Sequence, residues 1–336
     1  MAETLRRVAR DVLTLLHERR LEPWPEHRLA ASALVVAPHQ DDETLGCGGT
    51  IARKRDAGAH VTLVFATDGA TSHRHLMPPE QMATLRRGEA VAAAAKLGVG
   101  ADDVHFLDLP NGELADRVAE AAEGIAALVR DLRPDEVYVP WRDEPPADHR
   151  AAFGATAQAL VLAGSDAVLH EYPVWLWQQW PWCRPEHYQP SSRGDWWRTQ
   201  FAAARALMSF RTAVDVRGVH DRKAAALAAH RSQTERRHGD PARTVLGAVA
   251  GGLRRTDPLA GLAAAPGHPL PLPALLASAA SCSPTVPPVP RPRPGPPPRG
   301  PFCRPTPPPR PPRARPSSPS SARPPSLHLA PALRAR

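Results

Sequence analysis

Cysteine is scarce in this chain of 336 residues: there are four, Cys47, Cys183, Cys282 and Cys303, and none forms a CxxC pair. That usage argues against a disulfide-stapled scaffold and leads us to expect a reducing, cytoplasmic setting. No apolar run approaches the roughly 18–20 residues that a membrane-spanning helix needs, so no transmembrane segment is expected. Residues 1–20 intersperse charge throughout and lack the apolar core of a signal peptide. They read instead as an amphipathic helix with Leu5, Val8, Val12, Leu15 and Leu16 on one face. Beyond residue 251 the chain has no lysine, a single acid (Asp257) and a single aromatic residue (Phe302). A segment with so little to bury builds no core.

What that segment holds is proline and arginine: 26 of the 41 prolines and 12 arginines. Its net charge is +11 against +8 for the whole chain, which leaves −3 for the first 250 residues. The pI near 10.0 therefore belongs to the tail, and it is no sign that the body binds nucleic acid. Runs such as Pro296-Pro297-Pro298 are expected to be disordered or polyproline-like. Two origins fit the abrupt change of composition: a native basic tail, or a shift of reading frame in GC-rich DNA starting near residues 251–255.

Between residues 31 and about 232, short apolar runs alternate with helical segments. Strands are expected at 34–37, 61–66, 104–107, 136–140 and 168–172, with helices at 49–57, 79–97, 117–132 and 149–162. A short strand at 213–216 and a helix at 220–230 follow. This alternation implies βαβ units: an α/β fold with a largely parallel sheet flanked by helices. The expected domains are an N-terminal helix and linker (1–30), a catalytic domain (31–250) and the tail (251–336). Residues 175–197 hold six of the eight tryptophans without clear periodicity and read as an insertion within the catalytic domain.

The chemistry is concentrated where the first strand ends, in Pro38-His39-Gln40-Asp41-Asp42-Glu43 followed by Thr44-Leu45-Gly46-Cys47-Gly48-Gly49. An imidazole and a carboxylate three residues apart on a tight turn reach the same cation, so His39 and Asp42 are expected as two ligands of a zinc ion. The alternative is that the acids only cap the next helix, favoured there by its dipole. His149 follows the strand at 136–140, which puts it on the same rim of the sheet as a third ligand. Asp148 beside it either N-caps that helix or supports the ligands from behind. Asp41 is left free as a general base for a metal-activated water, or else as a partner orienting a ligand histidine. The glycines at 46, 48 and 49 lack the GxGxxG spacing of a dinucleotide site and are read as close helix–sheet packing.

These residues resemble the PIG-L/LmbE-like family of zinc-dependent N-deacetylases. Residues 38–43 are similar to its HPDDE signature, with Gln40 for the usual proline. The similarity continues through residues 44–49, Thr67-Asp68-Gly69, Arg86 to Glu89, residues 107–114, Asp148-His149-Arg150, and Lys223 with His230-Arg231-Ser232-Gln233. The resemblance implies a Rossmann-like α/β fold and hydrolysis of an N-acetyl group on an amino-sugar-containing small molecule or glycoconjugate. It implies zinc ligation by His39, Asp42 and His149, Asp41 as general base, and Arg86 in substrate binding.

One position departs from the pattern. The first histidine of the family's HPDH motif falls at Pro146, and Ala147 replaces its proline. Proline offers no side-chain donor for an oxyanion or a leaving amine. His73, His75 and His230 are the available substitutes. The departure motivates a second reading, a metal-binding family member that has lost turnover and serves as a scaffold. A third, in which the basic tail engages nucleic acid, ranks last because arginine–proline runs without aromatics are poor specific readers. The tryptophans at 175–197 are expected either to form an aromatic wall against a sugar or to pack the insertion onto the sheet.

Overall fold

The computed structural model of this chain describes residues 2–72, 77–178, 205 and 208–234. His73, His75, most of the tryptophan-rich segment and the tail from residue 251 lie outside the described residues.

The chain opens with helix α1 (Ala2–Glu18) and a two-residue strand β1 (Glu22–Pro23). A five-stranded sheet follows, built from β2 (Ala33–Ala37), β3 (Val61–Thr67), β4 (Val104–Leu109), β5 (Glu136–Pro140) and β6 (Val168–Tyr172). Its order is β4-β3-β2-β5-β6, and every pairing is parallel. The crossovers carry α2 (Gly48–Asp56), α3 (Pro79–Leu97), α4 (Val118–Leu132) and α5 (Ala147–Ala163). Strands β2 and β5 are adjacent although they are not consecutive, so the strand order reverses about β2, and a crevice opens at their carboxyl ends.

Side-chain alternation along β2 divides the core. Ala33, Val35 and Ala37 face one layer with Ile51 of α2, Ala90 and Leu97 of α3, Leu63, Phe65 and Tyr138. Leu34 and Val36 face the other, with Ile125 and Val129 of α4 and Phe153 and Leu160 of α5. All five residues of β2 are buried, as a central parallel strand covered on both faces requires.

Two glycines of the expected packing motif are needed for close approach. A Cβ at position 46 would lie 2.1 Å from Tyr172 Cδ2, and one at position 49 would lie 2.4 Å from Val216 Cγ1. Tyr172 is fully buried and donates its hydroxyl to the Val36 carbonyl at 2.8 Å. The turn after β2 is thereby clamped against β6.

At the other end of the sheet sits a buried charged cluster. The Glu136 carboxylate lies 2.6 Å from Lys54 Nζ, 2.9 Å from an Arg28 nitrogen and 3.6 Å from His170 Nε2, and it accepts the Tyr138 hydroxyl at 2.8 Å. Lys54 also donates to the Arg28 and Ala31 carbonyls, which pins the segment entering β2. Burial raises the Glu136 carboxyl, but His170 and Lys54 outweigh it and hold the group down at about 2.

Two expectations need adjustment, and a third gains a direction. The strand expected at 213–216 covers only Thr212–Ala213, because the Arg217 N–H turns back to the Asp215 carboxylate at 3.0 Å and bends the chain. Its partner is β1, a strand too short to be read from sequence. The helix expected from residue 149 begins at Ala147, since Pro146 takes the N-cap at φ −67°. In α1 the apolar face points outward: Leu5, Val8, Val12, Leu15 and Leu16 are all exposed, while His17 is buried against Phe210.

Candidate active site

β2 delivers the sequence Pro38 to Asp42 to the crevice, and neighbouring β3 fixes its end. The Thr67 amide and hydroxyl both donate to the Pro38 carbonyl, at 3.0 and 2.8 Å. Gln40, where the resembling family usually has proline, donates from Nε2 to the Thr67 carbonyl at 2.6 Å. The chain then enters a single wide turn, Glu43–Cys47, that runs into α2. Neither this turn nor α2 receives a side-chain cap, so the three acids do not serve as helix caps.

The structure brings His39, Asp42 and His149 together, each offering one ligand atom within 4.8 Å of the others. Asp42 Oδ2 lies 3.0 Å from His39 Nδ1 and 3.3 Å from His149 Nε2, and it also accepts the His39 amide at 3.0 Å. The imidazole centroids are 5.5 Å apart. His149 is fully buried, and neither of its ring nitrogens makes a hydrogen bond. A buried, orphaned imidazole nitrogen beside a carboxylate and a second imidazole is the donor set that zinc takes. The residues present therefore fit the ion.

Behind this cluster stands Asp148. It does not cap α5. Its Oδ2 lies 3.2 Å from His39 Nε2 and accepts the Gly112 amide at 2.8 Å, while Oδ1 accepts the Leu114 amide at 3.3 Å. With Nε2 of His39 so engaged, Nδ1 is the nitrogen turned toward Asp42. Burial works against a charged His39, but Asp148 and Asp42 outweigh it and raise the imidazole to about 9. Burial likewise disfavours charge on Asp42, yet His149 and His39 hold its carboxyl well below the usual range.

Asp41 flanks the cluster. Burial pushes its carboxyl up to about 6, with Arg86 opposing. Arg86, from α3, is itself buried; its Nη2 donates to the Gln40 carbonyl at 2.8 Å and lies 3.3 Å from Asp41 Oδ1. From this position Arg86 reaches the crevice through Asp41. The side chains of His39 and Asp41 are 19% and 13% exposed against 0% for His149, so the site opens on their side.

Two features were not read from the sequence. Glu144 is fully buried 3.9 Å from His149 Nδ1, and it accepts the Val174 and Trp175 amides at 2.8 Å each. Burial raises its carboxyl to about 7. Glu43 is fully buried against His230. The sequence signals only that acids occur there; their burial follows from chain segments 30 or more residues away. Of the tryptophan-rich segment, Trp175 falls within the described residues, its ring edge-on to His149 at 6.4 Å. At Pro146 no side-chain donor faces the site, and His73 and His75 lie outside the described residues.

Comparison with known proteins fits this arrangement. Residues 34–160 match the family described as PIG-L, GlcNAc-PI de-N-acetylase. The chain is 34% identical over 168 residues to a 1D-myo-inositol 2-acetamido-2-deoxy-alpha-D-glucopyranoside deacetylase of Kineococcus radiotolerans, covering 40% of this chain and 45% of that protein. It is 30% identical over 238 residues to the deacetylase of the same name from Rhodococcus opacus, covering 60% and 80%. A diacetylchitobiose deacetylase of Thermococcus kodakarensis is 32% identical over 136 residues, covering 39% and 49%. The match thus spans under half the length of two of these three relatives.

Proposed function

Given that this chain belongs to the PIG-L family of GlcNAc-PI de-N-acetylases, we propose that it is a zinc-dependent hydrolase that removes an N-acetyl group from an amino-sugar-containing small molecule or glycoconjugate. The observation that carries this reading is the meeting of His39, Asp42 and His149 at one point with a further carboxylate, Asp41, alongside. The relatives named above act on N-acetylated glucosamine compounds by their names, which supports the substrate class.

In this reading His39, Asp42 and His149 hold the ion. Zinc supplies Lewis acidity, which activates water near neutral pH and polarises an amide carbonyl. Asp148 engages His39 Nε2 and leaves Nδ1 facing the site, where a bound zinc would take the place of the proton that Asp148 and Asp42 otherwise favour. Asp41 takes the proton from the attacking water and passes it to the departing amine nitrogen. Its carboxyl stands beside the three ligands with Oδ1 against Arg86, a placement that suits both halves of that transfer. Arg86 holds Asp41 Oδ1 and so sets the direction of the other oxygen. The exposed edges of His39 and Asp41 are where the acylated sugar enters.

Metal content measured together with acetate release across a panel of N-acetylated amino sugars tests the proposal. Near one zinc per chain with acetate released from at least one glucosamine derivative is expected. Protein purified without chelator that carries no metal and takes up none would defeat it. A second reading rests on Pro146, which leaves no donor at the family's histidine position: the chain then binds zinc but releases nothing from any acyl amine.

A further inference from the structure

Residues 220–234 supply nothing to the chemistry above, yet they are fastened to the turn that carries it. Lys223, in the helix His220–Ala229, donates to the Leu45 carbonyl at 2.9 Å. His230 ends that helix and is fully buried, with Nε2 3.2 Å from Glu43 Oε1 and 3.4 Å from Thr44 Oγ1. The residues around it are anchored to α3, because the Ser232 amide and hydroxyl donate to the two oxygens of Glu89 at 2.7 and 2.6 Å. The backbone on the two sides of His230 is therefore tied both to the turn, through Lys223, and to α3, through Ser232.

Glu43 divides its carboxylate between two tasks. Oε1 takes the Thr44 hydroxyl at 2.5 Å and faces His230, and Oε2 accepts the Asp41 amide at 3.0 Å. That amide is shared with the His39 carbonyl at 3.1 Å. Asp41 sits at φ +153°, a conformation that costs a non-glycine residue roughly 1–3 kcal/mol and persists only where surrounding contacts impose it. A glutamate side chain has three rotatable bonds, and one enclosed partner removes most of that freedom.

We propose that His230 is a positioning residue for Asp41: its imidazole fixes the Glu43 carboxylate, and Glu43 fixes the Asp41 backbone at the mouth of the site. This rests on the reading of Asp41 as the proton carrier. Arg86 constrains the Asp41 side chain from α3, and the His230–Glu43 pair constrains its backbone from the far side of the turn. Neither His230 nor Glu43 belongs to the metal cluster, so removing the imidazole should disturb proton transfer and leave zinc in place.

The test compares full-length His230→Ala, His230→Gln and His230→Asn, each zinc-loaded. The glutamine amide reaches the position of Nε2 and can donate to Glu43; the shorter asparagine cannot. Expected is a fall in kcat on the order of 10- to 100-fold for Ala and Asn, with KM and zinc affinity within about twofold, and recovery of most of the rate by Gln. In an Asp41→Asn background, His230→Ala should change the residual rate no further. Amide exchange at Asp41 gives a readout that needs no turnover: protection should fall in the Ala and Asn variants and persist in Gln. Wild-type protein inactive on every substrate defeats the proposed function, while loss of Asp41 protection in the Ala variant would still support the positioning role. Full activity in the Ala variant, a zinc loss that tracks its activity loss, or unchanged protection would each overturn the inference. Should the Ala variant fail to fold, the contrast between Gln and Asn decides it.

Discussion

Asp148 gives the sharpest quantitative expectation. Its carboxylate accepts from three donors, His39 Nε2 at 3.2 Å and the Gly112 and Leu114 amides at 2.8 and 3.3 Å. Asp148→Ala removes the acceptor from all three. The imidazole then loses the contact that fixes which nitrogen faces Asp42. Loss of such an outer partner typically lowers metal affinity about 10- to 100-fold, or roughly 1.4–2.7 kcal/mol. Leaving two amides less well satisfied adds a stability cost on the order of 2 kcal/mol. Asp148→Asn keeps the volume and one acceptor oxygen but turns an NH2 group toward remaining donors, so it should fall between wild type and Ala. Zinc affinity is read by competition with a chelator of known strength, and stability by urea denaturation of metal-free protein. An Ala variant that folds normally and binds zinc within twofold of wild type would rule out this role for Asp148.

Two further outcomes follow from the fold. Glu136 is held at about 2 in the folded protein against an ordinary 4.5, so its stabilising effect is complete above pH 4.5 and is lost as pH falls from there toward 2. That difference amounts to about 3 kcal/mol, and Glu136→Gln should flatten the acid limb of a stability–pH profile while leaving Lys54 buried without its counter-charge. Gly46→Ala would press a Cβ to 2.1 Å from Tyr172. It should cost about 1–3 kcal/mol in thermal denaturation and weaken zinc binding by shifting the turn that carries Asp42.

Much of the fold was legible because the sheet is parallel and doubly covered. Central strands buried on both faces leave uninterrupted apolar runs, and the bounds of α3, β5 and β6 agree with those read from sequence. β1 was invisible because two residues carry no periodicity. The outward turn of the apolar face of α1 was also illegible, since periodicity marks a stripe without saying what it faces. At the site, His39, Asp41 and Asp42 were evident from an acid-rich turn after an apolar strand, and His149 from its place after β5. Their meeting depends on β2 and β5 being neighbours, which only the strand order reveals. Asp148 was readable as cap or support; its carboxylate lies beside His39 Nε2 and accepts the Gly112 and Leu114 amides, contacts that only the folded loop supplies. Glu43 was legible only as one acid of the motif after β2, and Glu144 as part of the loop ahead of His149. Their burial depends on His230 and on the chain at Val174 and Trp175, both distant in sequence.

In the proposed reaction one carboxylate, Asp41, carries the proton while Asp42 and two imidazoles would hold the ion. Acetate released per bound zinc by wild type and by Asp41→Asn, at matched metal occupancy, tests it most directly. Equal zinc binding is expected, with a loss of about 100-fold or more in turnover for the asparagine variant. Equal turnover by the two proteins at equal occupancy would contradict it.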